Sequence, residues 1–131
     1  MPHLSIEHSS NLQSQAKMQA LCEALHRTIL ESGLFELGAV RVRAYSCDAY
    51  AIADRHPDNA FADLRLRIGQ GRSALERQSL GRALIAVAEA HFAAELARPH
   101  FALSLEVIEI DVNFSWKTNA IHARLRGAAK T

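Results

Sequence analysis

The chain lacks most of the features that mark a specialised protein class. Its 131 residues hold two cysteines, Cys22 and Cys47, which form no CxxC motif and no disulfide framework. That scarcity fits a reducing compartment, and the expectation is a cytoplasmic protein. No uninterrupted apolar run is long enough to cross a bilayer, so a membrane partner is not expected. The opening stretch PHLSIEHS has no basic region followed by an apolar one and does not read as a signal peptide. Charge of one sign is missing as well, because 15 Lys and Arg stand against 14 Asp and Glu. Such a balance offers no global field for nucleic acid or an anionic membrane. Affinity for an acidic ligand must then come from a local cluster of arginines. The seven histidines include no pair at i+2, i+3 or i+4, which argues against a metal site carried on one helix or strand.

What remains is ordinary globular material. Hydrophobic residues make up 49 % and charged residues 22 %, enough for one compact domain with its own core. Residues His3 to His8 alternate, with Leu4 and Ile6 on one face and Ser5 and Glu7 on the other, the period of a half-buried strand. Turn chemistry follows at Ser9–Asn11, and Ser10 with Gln13 has the form of a weak capping box. Met18, Leu21, Cys22, Leu25 and Ile29 then recur at helical spacing, and Gly33 is placed to end that helix in a left-handed conformation.

The pattern repeats. AVRVRAY at 39–45 is a second alternating strand, with Arg41, Arg43 and Tyr45 on one face and Val40, Val42 and Ala44 on the other. An irregular connection, 46–59, leads to a third strand, AFADLRLRIG at 60–69. Ser73 and Glu76 form an S-x-x-E capping box ahead of a helix with Leu80, Leu84, Val87 and His91 on its apolar side, His91 reading as a packed core histidine. FALSLEVIEI at 101–110 is the last clear strand, and the aromatic tail beyond it has no clean period. The expected fold is α+β: two β-α-β units, roughly 2–58 and 59–110, form a sheet of about four strands with two helices on one face. The other face carries apolar residues such as Phe61 and no helix remains to cover it, which implies a partner subunit.

An initiator Met followed by Pro2, a β-α-β unit, and a strand ending in GQGRSALERQ resemble the tautomerase superfamily. Within it the chain is most similar to the 5-carboxymethyl-2-hydroxymuconate isomerase family, through PHLSIEHSSNL, GLFELGAVRVRAY, RIGQGRSALERQ, AEAHFAAEL, ALSLEVIEID and VNFSWKTNAIHARL. The resemblance covers nearly the whole chain. It implies a cofactor-independent isomerase that ketonises a 2-hydroxymuconate-type dienol with two or three carboxylates. It further implies a homotrimer, a place in homoprotocatechuate (aromatic acid) degradation, and a second β-α-β unit that is a fused duplicate lacking its own proline. AYSCDAY stands where the family resemblance implies tryptophans, which leaves open another superfamily reaction: decarboxylation, dehalogenation or hydration. A non-catalytic trimeric binding protein is the alternative from outside enzymology.

Ketonisation needs one proton taken from oxygen and one delivered to carbon, work for a single base whose pKa lies near the operating pH. An N-terminal proline is a secondary amine held rigidly at the end of a strand, and burial or nearby cations would lower its pKa. None of this holds while Met1 is attached, because the nitrogen is then an amide. Read without the resemblance, Pro2 is a rigid start to a strand. Carboxylate anchors are the second requirement. Arg41 and Arg43 share a strand face; Arg72 precedes a helix start where free N–H groups favour an anion. The GQGRS turn is no P-loop, since no GK[ST] follows, and Ala74 breaks a GxGxxG pattern. The resemblance favours Arg41 and Arg72 as substrate-binding residues, with Arg43, Tyr50 and Phe114 as further candidates.

Overall fold

The computed structural model describes residues 1–129. Strand β1 (His3–Ser9) leads through helix α1 (Gln15–Glu31) to β2 (Arg41–Cys47). Strand β3 (Ala60–Gly69) leads through α2 (Ala74–His91) and a short α3 (Ala93–Leu96) to β4 (Phe101–Ile110). A final helix, α4 (Ala120–Ala129), follows. The sheet order is β2-β1-β3-β4. Each unit joins parallel strands, β1 with β2 and β3 with β4, and the two units meet antiparallel where β1 pairs with β3. The α+β architecture read from the strand and helix periods is therefore observed.

The core forms because strand alternation and helix periodicity point apolar side chains at the same layer. Leu4 and Ile6 of β1 and Leu64, Leu66 and Ile68 of β3 are fully buried under Leu21, Leu25, Ile29 and Leu84 of the two long helices. Each such Leu or Ile contributes on the order of 1.5–3 kcal/mol by leaving water. The opposite face of the sheet is open and carries Arg43, Arg65 and Arg67.

The ends of α2 follow the sequence reading closely. Ser73 Oγ accepts from Glu76 N–H at 3.1 Å while the Glu76 carboxylate accepts from Ser73 N–H at 2.9 Å, a complete capping box. Gly33, at φ +72°, takes the left-handed position after α1.

Three expectations need correction. Helix α1 is capped by Ser14, whose Oγ accepts from Lys17 N–H at 3.3 Å, and not by Ser10. The reason is that residues 9–12 are tied elsewhere: Ser10 N–H donates to Cys47 O, and Ser9 Oγ accepts from Phe61 N–H. Gln13 reaches across to α2 and α3, donating to Glu95 Oε1 at 3.0 Å and accepting from His91 Nε2 at 2.7 Å. His91 is accordingly half-buried and hydrogen-bonded, and the fully buried aromatic ring is its neighbour Phe92. The tail is not shapeless either, since it ends in α4.

Candidate active site

The topology brings three distant segments to one end of the sheet. His3 opposes Arg41 at the start of the parallel β1–β2 pair and Arg67 near the end of the antiparallel β3. The N-terminus, the first residue of β2 and the turn after β3 therefore meet. Pro2 is fully buried there and its carbonyl accepts from Arg41 N–H at 3.2 Å. The Arg41 guanidinium lies over Met1, with Nη1 3.0 Å from Sδ. Arg72 turns back beneath, its Nη1 donating to Gly69 O at 3.3 Å and its Nη2 to Leu34 O at 2.9 Å. The Phe35 ring stacks on this guanidinium, 4.4 Å from centroid to Cζ. Arg72 is thus fixed by neutral carbonyls and a ring face, so no protein carboxylate spends its charge.

A cavity of about 530 Å³ opens beside them. Met1, Phe35 and Arg72 line it, together with Lys117, His122 and Arg126 from the C-terminal arm. The arm is held by polar contacts. Asn119 Nδ2 donates to Gly38 O at 2.9 Å, and Asn119 Oδ1 accepts from His122 N–H at 3.0 Å, capping the first turn of α4. Arg126 forks onto Glu36, with Nε donating at 2.7 Å and Nη2 at 2.5 Å. That pairing holds the Glu36 carboxyl below its ordinary range through the Arg126 hydrogen bond.

Electrostatics at the N-terminus follow from this enclosure. Burial is the first cause that lowers the terminal amine below its usual 8.0, and the positive charges of Lys117, Arg72 and Arg41 add to it in that order. Next to it, His3 is pushed down to about 4 by burial and then by Arg43, Arg41 and Arg67. It is neutral at physiological pH, and its Nδ1, 3.2 Å from Arg43 Nη1, accepts from that guanidinium.

Of the residues singled out in the sequence, Pro2, Arg41 and Arg72 are brought together. Arg43 lies apart from the cavity, bonding His3 and the Tyr45 hydroxyl at 3.0 Å on the open sheet face. Tyr50 is exposed on the 46–59 loop and Phe114 is 76 % exposed, and neither lines the cavity of this chain. Sequence reasoning missed Phe35, Lys117, His122 and Arg126. The basic spacing of Lys117, His122 and Arg126 was the available signal, and it has meaning only once the arm is docked. The histidine argument also covered single elements only: His56, Asp58 and His100 gather from a loop and the approach to β4. There His56 Nδ1 accepts from Asp58 N–H at 3.1 Å and His100 Nδ1 is engaged with Asn59 Oδ1 at 3.0 Å. Those bonds make the cluster a clasp that closes the loop.

The sequence model of the family described as 5-carboxymethyl-2-hydroxymuconate isomerase matches residues 2–125. The chain belongs to this family. Among curated relatives, the 5-carboxymethyl-2-hydroxymuconate Delta-isomerase of Escherichia coli is 34 % identical over 123 residues, 94 % of this chain and 98 % of that protein. A crystal structure of a 5-carboxymethyl-2-hydroxymuconate isomerase from Deinococcus radiodurans R1 matches with a TM-score of 0.89 at 42 % identity. It covers 95 % of this chain and 94 % of its own. More distantly, a fused 4-OT described as a symmetric trimer shares the fold at 13 % identity, with a TM-score of 0.69 over 88 % of this chain and 93 % of its own. The chain is therefore an isomerase of the tautomerase superfamily. At the polar end of this isomerase's sheet, the N-terminal residue, Arg72 and a basic arm line one cavity, with Arg41 beside it over Met1.

Proposed function

We propose that the protein ketonises a 2-hydroxymuconate-type dienol carrying two or three carboxylates, with the amine of Pro2 as the base, in aromatic acid degradation. The observation that carries this reading is the burial of the N-terminal strand end beside three cations. With Met1 removed, the Pro2 nitrogen becomes a secondary amine in that same environment. Burial, Lys117, Arg72 and Arg41, which lower the pKa of the Met1 amine, would act in the same direction on the Pro2 amine and favour its free-base form.

The chemistry then balances without a redox step. The amine takes the proton of the 2-hydroxyl, the diene electrons shift as the C2–O bond becomes a carbonyl, and the protonated amine returns a proton to a distal carbon. Arg72, fixed on Phe35, holds a carboxylate and stabilises negative charge developing at the 2-oxygen. Arg41, now over Met1, is freed to meet the second carboxylate when that residue leaves.

A homotrimer completes the proposal. The open sheet face and the exposed Phe114 and Trp116 favour subunit packing, and Arg43, Tyr50 and Phe114 would act only at a site shared across a subunit boundary. Intact mass of the native protein together with a spectrophotometric ketonisation assay tests the mechanism. The expected result is loss of Met1 and turnover that depends on Pro2; full activity with Met1 retained would end the proline reading.

A further inference from the structure

Lys117 enters the chemistry just described only as a nearby charge, yet it is placed to do more. It lines the cavity together with Arg72, and among the cations near the N-terminus its charge weighs most on the amine. The other basic residues of the cavity are committed. Arg126 is forked onto Glu36, His122 Nδ1 lies 3.7 Å from the same carboxylate, and Arg72 is held by Leu34 O, Gly69 O and the Phe35 face. Among the described residues, no ion pair within 4.0 Å involves Lys117. Its backbone position is nonetheless set, two residues before Asn119, which is bonded to Gly38 O and caps α4. A cation on a fixed stem, facing a cavity and lacking a protein partner, is arranged to meet an anion from outside.

We propose that Lys117 is a third carboxylate anchor. It holds a side-branch carboxylate that Arg41 and Arg72 do not reach, and so makes the cavity select tricarboxylates over dicarboxylates. This rests on the proposed reading of the site as a carboxylate-binding isomerase centre and adds the residue that sets substrate class. Lysine suits the task, because a flexible point charge can follow a branch whose orientation varies, whereas the arginines fix the planar ends of the substrate.

The test measures binding separately from turnover. Titration calorimetry compares propane-1,2,3-tricarboxylate with glutarate on wild type, Lys117→Met and Lys117→Arg. The wild type is expected to bind the tricarboxylate at least about tenfold more tightly, the scale of one charge-assisted hydrogen bond. Lys117→Met should abolish that ratio, and Lys117→Arg should keep most of it. Loss of a diffuse positive field also costs the trianion more than the dianion, so the ratio is measured again at high salt, where a diffuse field is screened and a direct contact persists; a wild-type ratio that vanishes at high salt would overturn the proposal. Equal affinities in the wild type would overturn it too. Turnover of 5-carboxymethyl-2-hydroxymuconate by the wild type, assayed in parallel, judges the ketonisation reading by itself: a selective binding site with no turnover of this tricarboxylate would sink that reading while leaving the Lys117 contact standing.

Discussion

His122 rests directly on Gly38. A Cβ at position 38 would stand 2.9 Å from His122 Nδ1 and 3.0 Å from its Cα, closer than side chains and backbone tolerate. Gly38 therefore sets how near the C-terminal arm lies to the rest of the cavity wall. Gly38→Ala should push α4 outward, with an overpacking cost of roughly 1–3 kcal/mol relieved by undocking the arm. Trp116, the sole tryptophan, reports this: its fluorescence anisotropy should fall while the far-UV circular dichroism of the sheet and long helices persists. Unchanged anisotropy and unchanged amide exchange over 112–127 would show that the arm does not depend on this contact.

The same arm should respond to acid. The Glu36 carboxyl is held below its ordinary 4.5 by the Arg126 hydrogen bond, so its ionised form favours the docked arm. A depressed carboxyl contributes fully above the free value and is lost as pH falls through the lower docked value. Trp116 anisotropy should therefore be flat down to about pH 4.5 and drop below it. Glu36→Gln should give low anisotropy at every pH, with no drop below pH 4.5; a curve identical to wild type would rule out this ion pair as the latch.

His3 makes a separate contribution to pH-dependent stability. Its folded pKa is about 4 against an ordinary 6.5, because burial and three arginines oppose its charge. The unfolded chain binds the proton more readily, so this contribution is complete above 6.5 and is lost as pH falls towards 4. Urea midpoints should decrease between those values, and His3→Gln should flatten the slope. A slope unaltered by the substitution would place its origin elsewhere, for example at His91, which burial also lowers.

Arg72 is a positioned guanidinium rather than a generic charge. Lys at this position offers one nitrogen where Arg72 uses Nη1 for Gly69 O and Nη2 for Leu34 O, and it has no planar face to lie on Phe35. Arg72→Lys is expected to lower kcat/KM by roughly 10²-fold, the scale of losing one oriented donor to a developing oxyanion. A fall mainly in kcat supports charge stabilisation in the transition state, whereas a rise in KM alone reduces Arg72 to an anchor.

Pro2→Ala leaves a primary amine after methionine removal, so it tests the base without emptying the site. Ketonisation should fall by about 10²–10⁴-fold, the span of general acid–base contributions. Wild-type rates in the variant would exclude the amine.

Much of this framework was legible in the residues. Leu64, Leu66 and Ile68 alternate, Met18, Leu21, Leu25 and Ile29 recur at helical spacing, and Ser73 with Glu76 spells its own cap. Those signals are local, and the core amplifies them. The arm was illegible for the opposite reason. Among the described side chains of helix α4 (120–127), only His122 and Leu125 are half-covered, so hydrophobic period had little to record. Its docking depends on polar pairs such as Glu36 with Arg126, 90 residues apart. Ser10 was mistaken for a cap because its backbone is claimed by Cys47, a partner that no local window contains.

The cavity joins residues from the two extremes of the chain, Met1 and Arg126. The site therefore depends on two segments far apart in sequence at once, the start of β1 and the helix α4, while the core beneath it rests on the sheet and the two long helices. For the bench the lesson is practical. A peptide tag at the front blocks the amine, and one at the back extends the helix that walls the cavity.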